Sequence, residues 1–182
     1  MKMADKFEIL EEVPGLYRVI GLSVLRRTPG VYFDNVPLGA LPRIDAIDRV
    51  IHEGAALSPG PVGEVQRPWY MHHHQDDNLV VLHGSRLVEI YTRAHGRVEE
   101  FLVEPNRIMQ GERLVVAGPA MLVWPRGVFH RIKSGAAGSA SLNFAVHYPG
   151  LDIRTNFNIY DLDVVSGDFR VIREGFRDQT GV

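Results

Sequence analysis

Trp69-Tyr70-Met71-His72-His73-His74-Gln75-Asp76-Asp77-Asn78 is the stretch of the chain richest in groups that could do chemistry. In an extended strand alternate side chains share a face, so His72 and His74 point one way and His73 the other. Two imidazoles on one face can ligate a single ion at about 2.0–2.1 Å. A carboxylate follows at Asp76 or Asp77. The competing interpretation is a solvated polar loop that happens to carry histidines. A second segment runs from Met121 to Ile132 and contains Pro125, Gly127 and His130. There a strand ends at a Pro-x-Gly turn and His130 opens the next strand. Alone, His130 reads as a hydrogen-bonded core histidine. Beside the first segment it is a natural third ligand, since strands distant in sequence converge inside a barrel.

The expected centre is therefore one divalent ion held by His72, His74 and His130, with a carboxylate from Asp76 or Asp77 contributing. Imidazole and carboxylate donors suit Fe, Mn, Ni or Zn, and an open coordination position would admit a substrate. No catalytic residue is assigned. His83, Asn143 and His147 are candidates for a substrate pocket: His83 keeps the parity of Asp77, while Asn143 and His147 share a strand face. Glu89 and Tyr91 share another. A surface position is the alternative for each, because a barrel strand turns only half its residues inward. Trp69 and Trp124 read as packing residues. The chain shows no Gly-rich phosphate loop, nucleophile elbow or basic–aromatic stripe.

Composition narrows the classes. The chain has 182 residues, 45% hydrophobic and 23% charged, with a formal net charge of −2. That is ordinary for one globular domain and too near neutral to steer toward nucleic acid or an anionic membrane. Cysteine is absent, which removes disulfides, thiolate metal sites and cysteine nucleophiles together. The polar start and the lack of a long apolar run give a cytoplasmic expectation, without secretory signal or membrane span.

Three stretches must position these groups. Residues 1–66 begin with short strand-like runs. Ile44, Ile47 and Ile51 then fall at helical spacing, with Asp45→Arg49 as an i,i+4 pair and Pro42 and Gly54 as punctuation, which predicts one N-terminal helix. Residues 67–149 are nearly all strand and turn and form the expected barrel core. Residues 150–182 are an extension adding edge strands or a tail. The long strand-bearing arm before the barrel predicts a homodimer, in which a partner covers an open sheet edge.

The two histidine segments resemble the two signature motifs of the cupin superfamily. His72 and His74 match its histidine pair, and Asp77 and Gly84, with six residues between them, match its acidic residue and glycine. Gly118, Pro125, Gly127 and His130 fill the second motif. The sequence departs from the pattern in having Asp for Glu, and only two residues lie between His74 and Asp77. A different register makes His73 the second ligand, with Met71 in place of the first. The resemblance covers about residues 67–149 and implies an all-β fold, the double-stranded β-helix or jelly-roll barrel. His-x-His-Gln followed by residues 78–84, with Asn156-Phe157-Asn158 later, is also similar to the dTDP-sugar epimerase branch of the cupins. That second resemblance implies a metal-free enzyme with histidine as base. Three functions follow. One is a metal-dependent oxygenase, isomerase or lyase acting on a small polar molecule. The others are a metal-independent sugar-nucleotide epimerase or isomerase, and a non-catalytic small-molecule binder. Fold alone does not choose among them.

Overall fold

The structure, a computed structural model, describes residues 7–180; the polar start at residues 1–6 lies outside them. Nearly all the regular structure of the described residues is strand. The first group is β1 (Ile9–Val13), β2 (Tyr17–Gly21), β3 (Ser23–Thr28), β4 (Val31–Asn35), β5 (Ala46–His52) and β6 (Leu57–Ser58). The barrel motifs lie on β7 (Trp69–Met71), β8 (Gln75–Tyr91), β9 (Glu99–Glu104), β10 (Arg107–Gln110), β11 (Arg113–Val116), β12 (Ala120–Trp124) and β13 (Phe129–His147). One helical turn, α1 (Ile153–Asn156), then leads to β14 (Ile159–Leu162) and β15 (Phe169–Arg173).

All strands but two join one sheet, whose central path runs β1-β2-β12-β8-β13-β7-β14-β15; β3 and β4 form a separate hairpin. The pairings described are antiparallel and the sheet curls into the cupin jelly roll. β8 and β13 form its spine. They pair along nearly their whole length, with the register slipping between Ser134 and Ser139 and again between Ala140 and Ser141. At the slip Gly84 and Gly138 both have positive φ. A Cβ on Gly84 would collide with the Gly138 carbonyl, and one on Gly138 with the His52 carbonyl. Glycine is required here because three backbones approach closely, which is how a bulge bends paired strands.

One half of the interior is closed by apolar side chains. Val81, Val88 and Ile90 of β8 meet Phe101, Val103, Ile108 and Leu122, all at 3% exposure or less. Phe101 meets the edge of Tyr17 at 4.7 Å between ring centres. A second, aromatic cluster of Trp69, Tyr91, Phe129 and Tyr160 fastens the C-terminal strands, with β14 pairing β7. That seam brings α1 over the end of β7.

The predicted helix at residues 44–52 is instead the strand β5, paired with β13 from Ala46↔Ala145 to His52↔Ser139. Its burial alternates: Ala46, Asp48, Val50 and His52 turn inward while Ile47, Arg49 and Ile51 face out. So short a segment is a marginal helix in water, whereas the β13 edge supplies backbone partners for its whole length. Asp45 pairs with Arg43 at 2.6 Å rather than with Arg49. Among the described residues no helix is long and apolar enough to cross a membrane.

Candidate functional site

β7 stops at Met71, residues 72–74 bend, and β8 starts at Gln75. The bend breaks the alternation on which the pairing of His72 with His74 rested. His72 turns inward and is buried, His73 is exposed, and His74 is half-buried with its ring against Gly150. The His74 backbone carbonyl accepts the Tyr148 amide at 2.8 Å, which holds this rim in place.

His72, Asp77 and His130 come together. Their ligand-type atoms lie within 4.8 Å of one another and all three residues are buried. His72 Nε2 is 3.4 Å from Asp77 Oδ2, and His130 Nε2 is 3.9 Å from the same oxygen. The Pro-x-Gly turn achieves this convergence. Gly127, at φ +81°, donates its amide to the His72 carbonyl at 2.8 Å, so the start of β13 is tied to the end of β7.

Each member is oriented from behind. His72 Nδ1 lies 2.5 Å from the Asn156 carbonyl, and His130 Nδ1 is 3.2 Å from that of Val128. A carbonyl only accepts, so both Nδ1 atoms carry a proton and the Nε2 atoms face Asp77. Asp77 Oδ1 accepts from Gln75 at 2.8 Å and Asn143 at 2.7 Å. Asn156 donates to Gln75 Oε1 at 2.8 Å, which closes a ring of side chains from α1 back to β8. Burial first, and then the nearby His72, push His130 down to about 4, so it is neutral near pH 7.

The three groups line a cavity of about 320 Å³. Of the pocket candidates, Asn143 lines it; His83 is exposed, and His147 is half-buried away from it. Glu89 lies elsewhere, held by Arg131 at 2.6 Å and Arg67 at 2.7 Å, and Tyr91 is in the aromatic core. Trp69 packs under Arg131 as expected of a packing residue. Trp124 lines the cavity and lies 5.2 Å from the His130 ring, its Nε1 buried with no hydrogen-bond partner among the described residues. Asp48, His52, Tyr70, Gln75 and Arg86 also line the cavity, and residue spacing had not singled them out. Asp48 and His52 were hidden by the helical assignment of β5. Arg86 carried a usable signal, since it shares the parity of the buried Val88 and Ile90.

No protein-family model and no curated protein matches the sequence. Solved structures do match in fold. A dTDP-4-dehydrorhamnose 3,5-epimerase from Bacillus anthracis, with TDP and pyrophosphate bound, superposes with a TM-score of 0.59 at 9% identity, over 81% of each chain. A dTDP-6-deoxy-D-glucose-3,5-epimerase from Legionella pneumophila, in complex with dTDP-4-keto-L-rhamnose, gives 0.58 at 11% identity over 91% of this chain and 85% of that one. A sugar 3,4-ketoisomerase from Thermoanaerobacterium thermosaccharolyticum in complex with TDP gives 0.52 at 11%, over 72% and 81%. These likenesses show the fold, a cupin-type jelly-roll barrel.

These neighbours correct the cofactor expectation. They fall in the branch that the second sequence resemblance marked as working without a metal. Of the four donors on which the Fe, Mn, Ni or Zn ion was placed, His72, His130 and Asp77 meet, and the bend after Met71 carries His74 away from them. The cluster is two histidines and a carboxylate, and no divalent ion is assigned to it.

Proposed function

We propose that the protein is a metal-independent epimerase or isomerase of a keto-sugar nucleotide. The observation that carries this is the buried meeting of His72 Nε2, His130 Nε2 and Asp77 Oδ2 on one cavity wall. An imidazole whose Nδ1–H is held from behind, with a carboxylate beside its Nε2, is equipped both to remove a proton from carbon and to return one. The hydrogen beside a ketone is the acidic one in such a sugar. When it passes to His72 Nε2, the C–H electron pair moves into the enolate and Asp77 stabilises the imidazolium. A proton delivered from solvent to the opposite face inverts the carbon; where that carbon bears a hydroxyl, passing the hydroxyl proton to the enolate oxygen and the His72 proton to the former carbonyl carbon relocates the ketone. Neither outcome consumes a cofactor. The fold likeness to dTDP-sugar epimerases and a ketoisomerase supports the same substrate class.

The test is solvent exchange. In deuterium oxide a dTDP-4-keto-6-deoxyhexose should gain deuterium at a carbon flanking the ketone, followed by NMR. His72→Asn should slow this by about 10²–10⁴-fold, and chelator should leave the rate unchanged. Protein that binds the nucleotide yet exchanges nothing would sink the proposal.

We also propose a homodimer. The β3–β4 hairpin exposes Val24, Leu25, Val31, Tyr32 and Phe33, each above 50%, and β5 exposes Ile47 and Ile51. Apolar surface of this extent marks an interaction face. Light scattering should report twice the 20.4 kDa chain mass; a monomer at micromolar concentration would count against it.

A further inference from the structure

The cavity has a second polar end. On β5, Asp48 pairs in register with Asn143 and His52 with Ser139, four residues further along. On β13, His130 and Ser134 are again four residues apart, and Ser134 faces Arg86. Four residues of strand span about 13 Å. The acid–base cluster therefore occupies one end of the cavity and Arg86 with His52 the other. Val50, Leu79 and Ile132 make an apolar waist between them.

Arg86 is 2% exposed, among the largest fully buried side chains of the chain, and it lines this cavity. Its Nε donates to Ser139 Oγ at 2.9 Å and one Nη to the Val50 carbonyl at 3.2 Å. Among the described residues no carboxylate pairs with it. Burial lowers it only to about 10, so it stays cationic near pH 7. A buried charge without a counter-ion is costly, and proteins keep one where a ligand supplies the partner. The hydroxyls point the same way. Ser139 Oγ lies 2.8 Å from Ser134 Oγ, which lies 2.9 Å from His52 Nδ1. A run of donors from Arg86 through Ser139 and Ser134 to His52 Nδ1 satisfies both hydroxyls. His52 then carries its proton on Nε2 and adds a second N–H donor to this end of the cavity.

We infer that Arg86, with His52 beside it, is an anion subsite that holds phosphoryl oxygens of the ligand whose other end reaches His72 and Asp77. The choice of phosphoryl rests on the keto-sugar nucleotide proposal; the subsite for an anion does not. Charge-assisted hydrogen bonds from a guanidinium are the strong kind for such a group.

Calorimetry with inorganic pyrophosphate, and separately with TDP, tests this on the intact protein. Wild type should bind both, and Arg86→Gln should weaken pyrophosphate roughly tenfold to a hundredfold. His72→Asn should bind pyrophosphate as wild type does. Pyrophosphate binding without TDP binding would keep the subsite and remove the nucleotide proposal. TDP binding undiminished in Arg86→Gln would do the reverse. Should Arg86→Gln fail to fold, Arg86→Lys and Ser139→Ala keep the charge but lose the fork or its anchor. Both should weaken pyrophosphate several-fold. Unmoved affinity in those two, with only a lower melting temperature, would make Arg86 structural and overturn the subsite, as would wild type that binds no pyrophosphate.

Discussion

The two halves of the barrel interior are lined by the same strands and obey opposite rules. On one inward face of β8, Asp77 belongs to the cavity while Val81 belongs to the apolar core. Beyond the bulge Arg86 is at the cavity, and Val88 and Ile90 are in the core. The apolar half encloses Phe101, Val103 and Ile108 at zero exposure. The polar half buries Asp77, Arg86 and His130 nearly as deeply, at 4%, 2% and 5%. Burial of an apolar group stabilises the fold, whereas burial of a titratable group costs stability unless it is fully paired. One half therefore holds the barrel together and the other spends part of that stability on function, and substitutions should separate the two.

The largest separation is between Phe101 and Asp77. Phe101→Ala should lower the unfolding free energy by about 3–5 kcal/mol, because it removes a fully buried ring and leaves a cavity. Exchange activity per folded molecule should stay near wild type. Asp77→Asn should behave oppositely. It removes a buried charge but keeps the size of the side chain, so the denaturation midpoint should hold or rise. Exchange should fall about 10²–10⁴-fold, since the imidazolium formed at His72 loses its counter-charge. If Asp77→Asn instead unfolded the protein while Phe101→Ala stayed stable, the division of labour between the halves would be wrong.

A smaller contrast lies in the response to pH. Burial first, and then the positive Arg86, hold His52 down to about 4 against an ordinary value of 6.5. The folded state binds this proton less readily than the unfolded chain, so the contribution is full above about 6.5 and is lost as pH falls toward 4. Glu11, in the outer β1–β2 hairpin, is lowered by its hydrogen bond with Arg113, assisted by Tyr17. Its contribution is also lost on acidification, but only below the ordinary carboxylate range. Urea unfolding at intervals from pH 7 to 4 should therefore show wild type weakening through the histidine window. His52→Gln should flatten part of that slope and leave the steeper loss below it. An identical slope in both proteins would show that His52 is not held neutral by its surroundings.

How far the sequence disclosed this arrangement follows the same division. The apolar half was legible. Short apolar runs separated by turn residues marked β8, β12 and β13, and the Pro-x-Gly-x-x-His turn placed His130 inward. The polar half was legible only in part: His72, Asp77, His130 and Asn143 were singled out, but its other members were hidden because a polar residue in a strand is read as solvated. In β5 the inward residues are Ala46, Asp48, Val50 and His52, while the isoleucines face out, so hydrophobic spacing described the wrong side and imitated a helix. Arg86, a single charge within a strand, reads as a surface residue unless its parity with Val88 and Ile90 is weighed. The histidine run was recognised as chemistry, but the bend between β7 and β8 is a local backbone choice that alternation cannot anticipate.

That bend yields the smallest expected effect. His72 and His74 are two residues apart and chemically identical, and a continuous strand would make them equivalent. The structure puts His72 on the Asn156 carbonyl inside the cavity, and His74 at the rim against Gly150. His74 acts through its backbone carbonyl, which accepts the Tyr148 amide whatever the side chain. His74→Ala should therefore keep exchange activity within about twofold and stability within about 0.5 kcal/mol, the range of a substitution that touches no core, cap or network. His83→Ala, at an exposed position of β8, should be equally quiet. The measurement is a side-by-side exchange assay of the His72, His74 and His83 variants with denaturation midpoints. A loss in His74→Ala comparable to that in the His72 variant would mean that the strand runs straight through residues 72–74 when ligand is bound. The two histidines would then share a face after all.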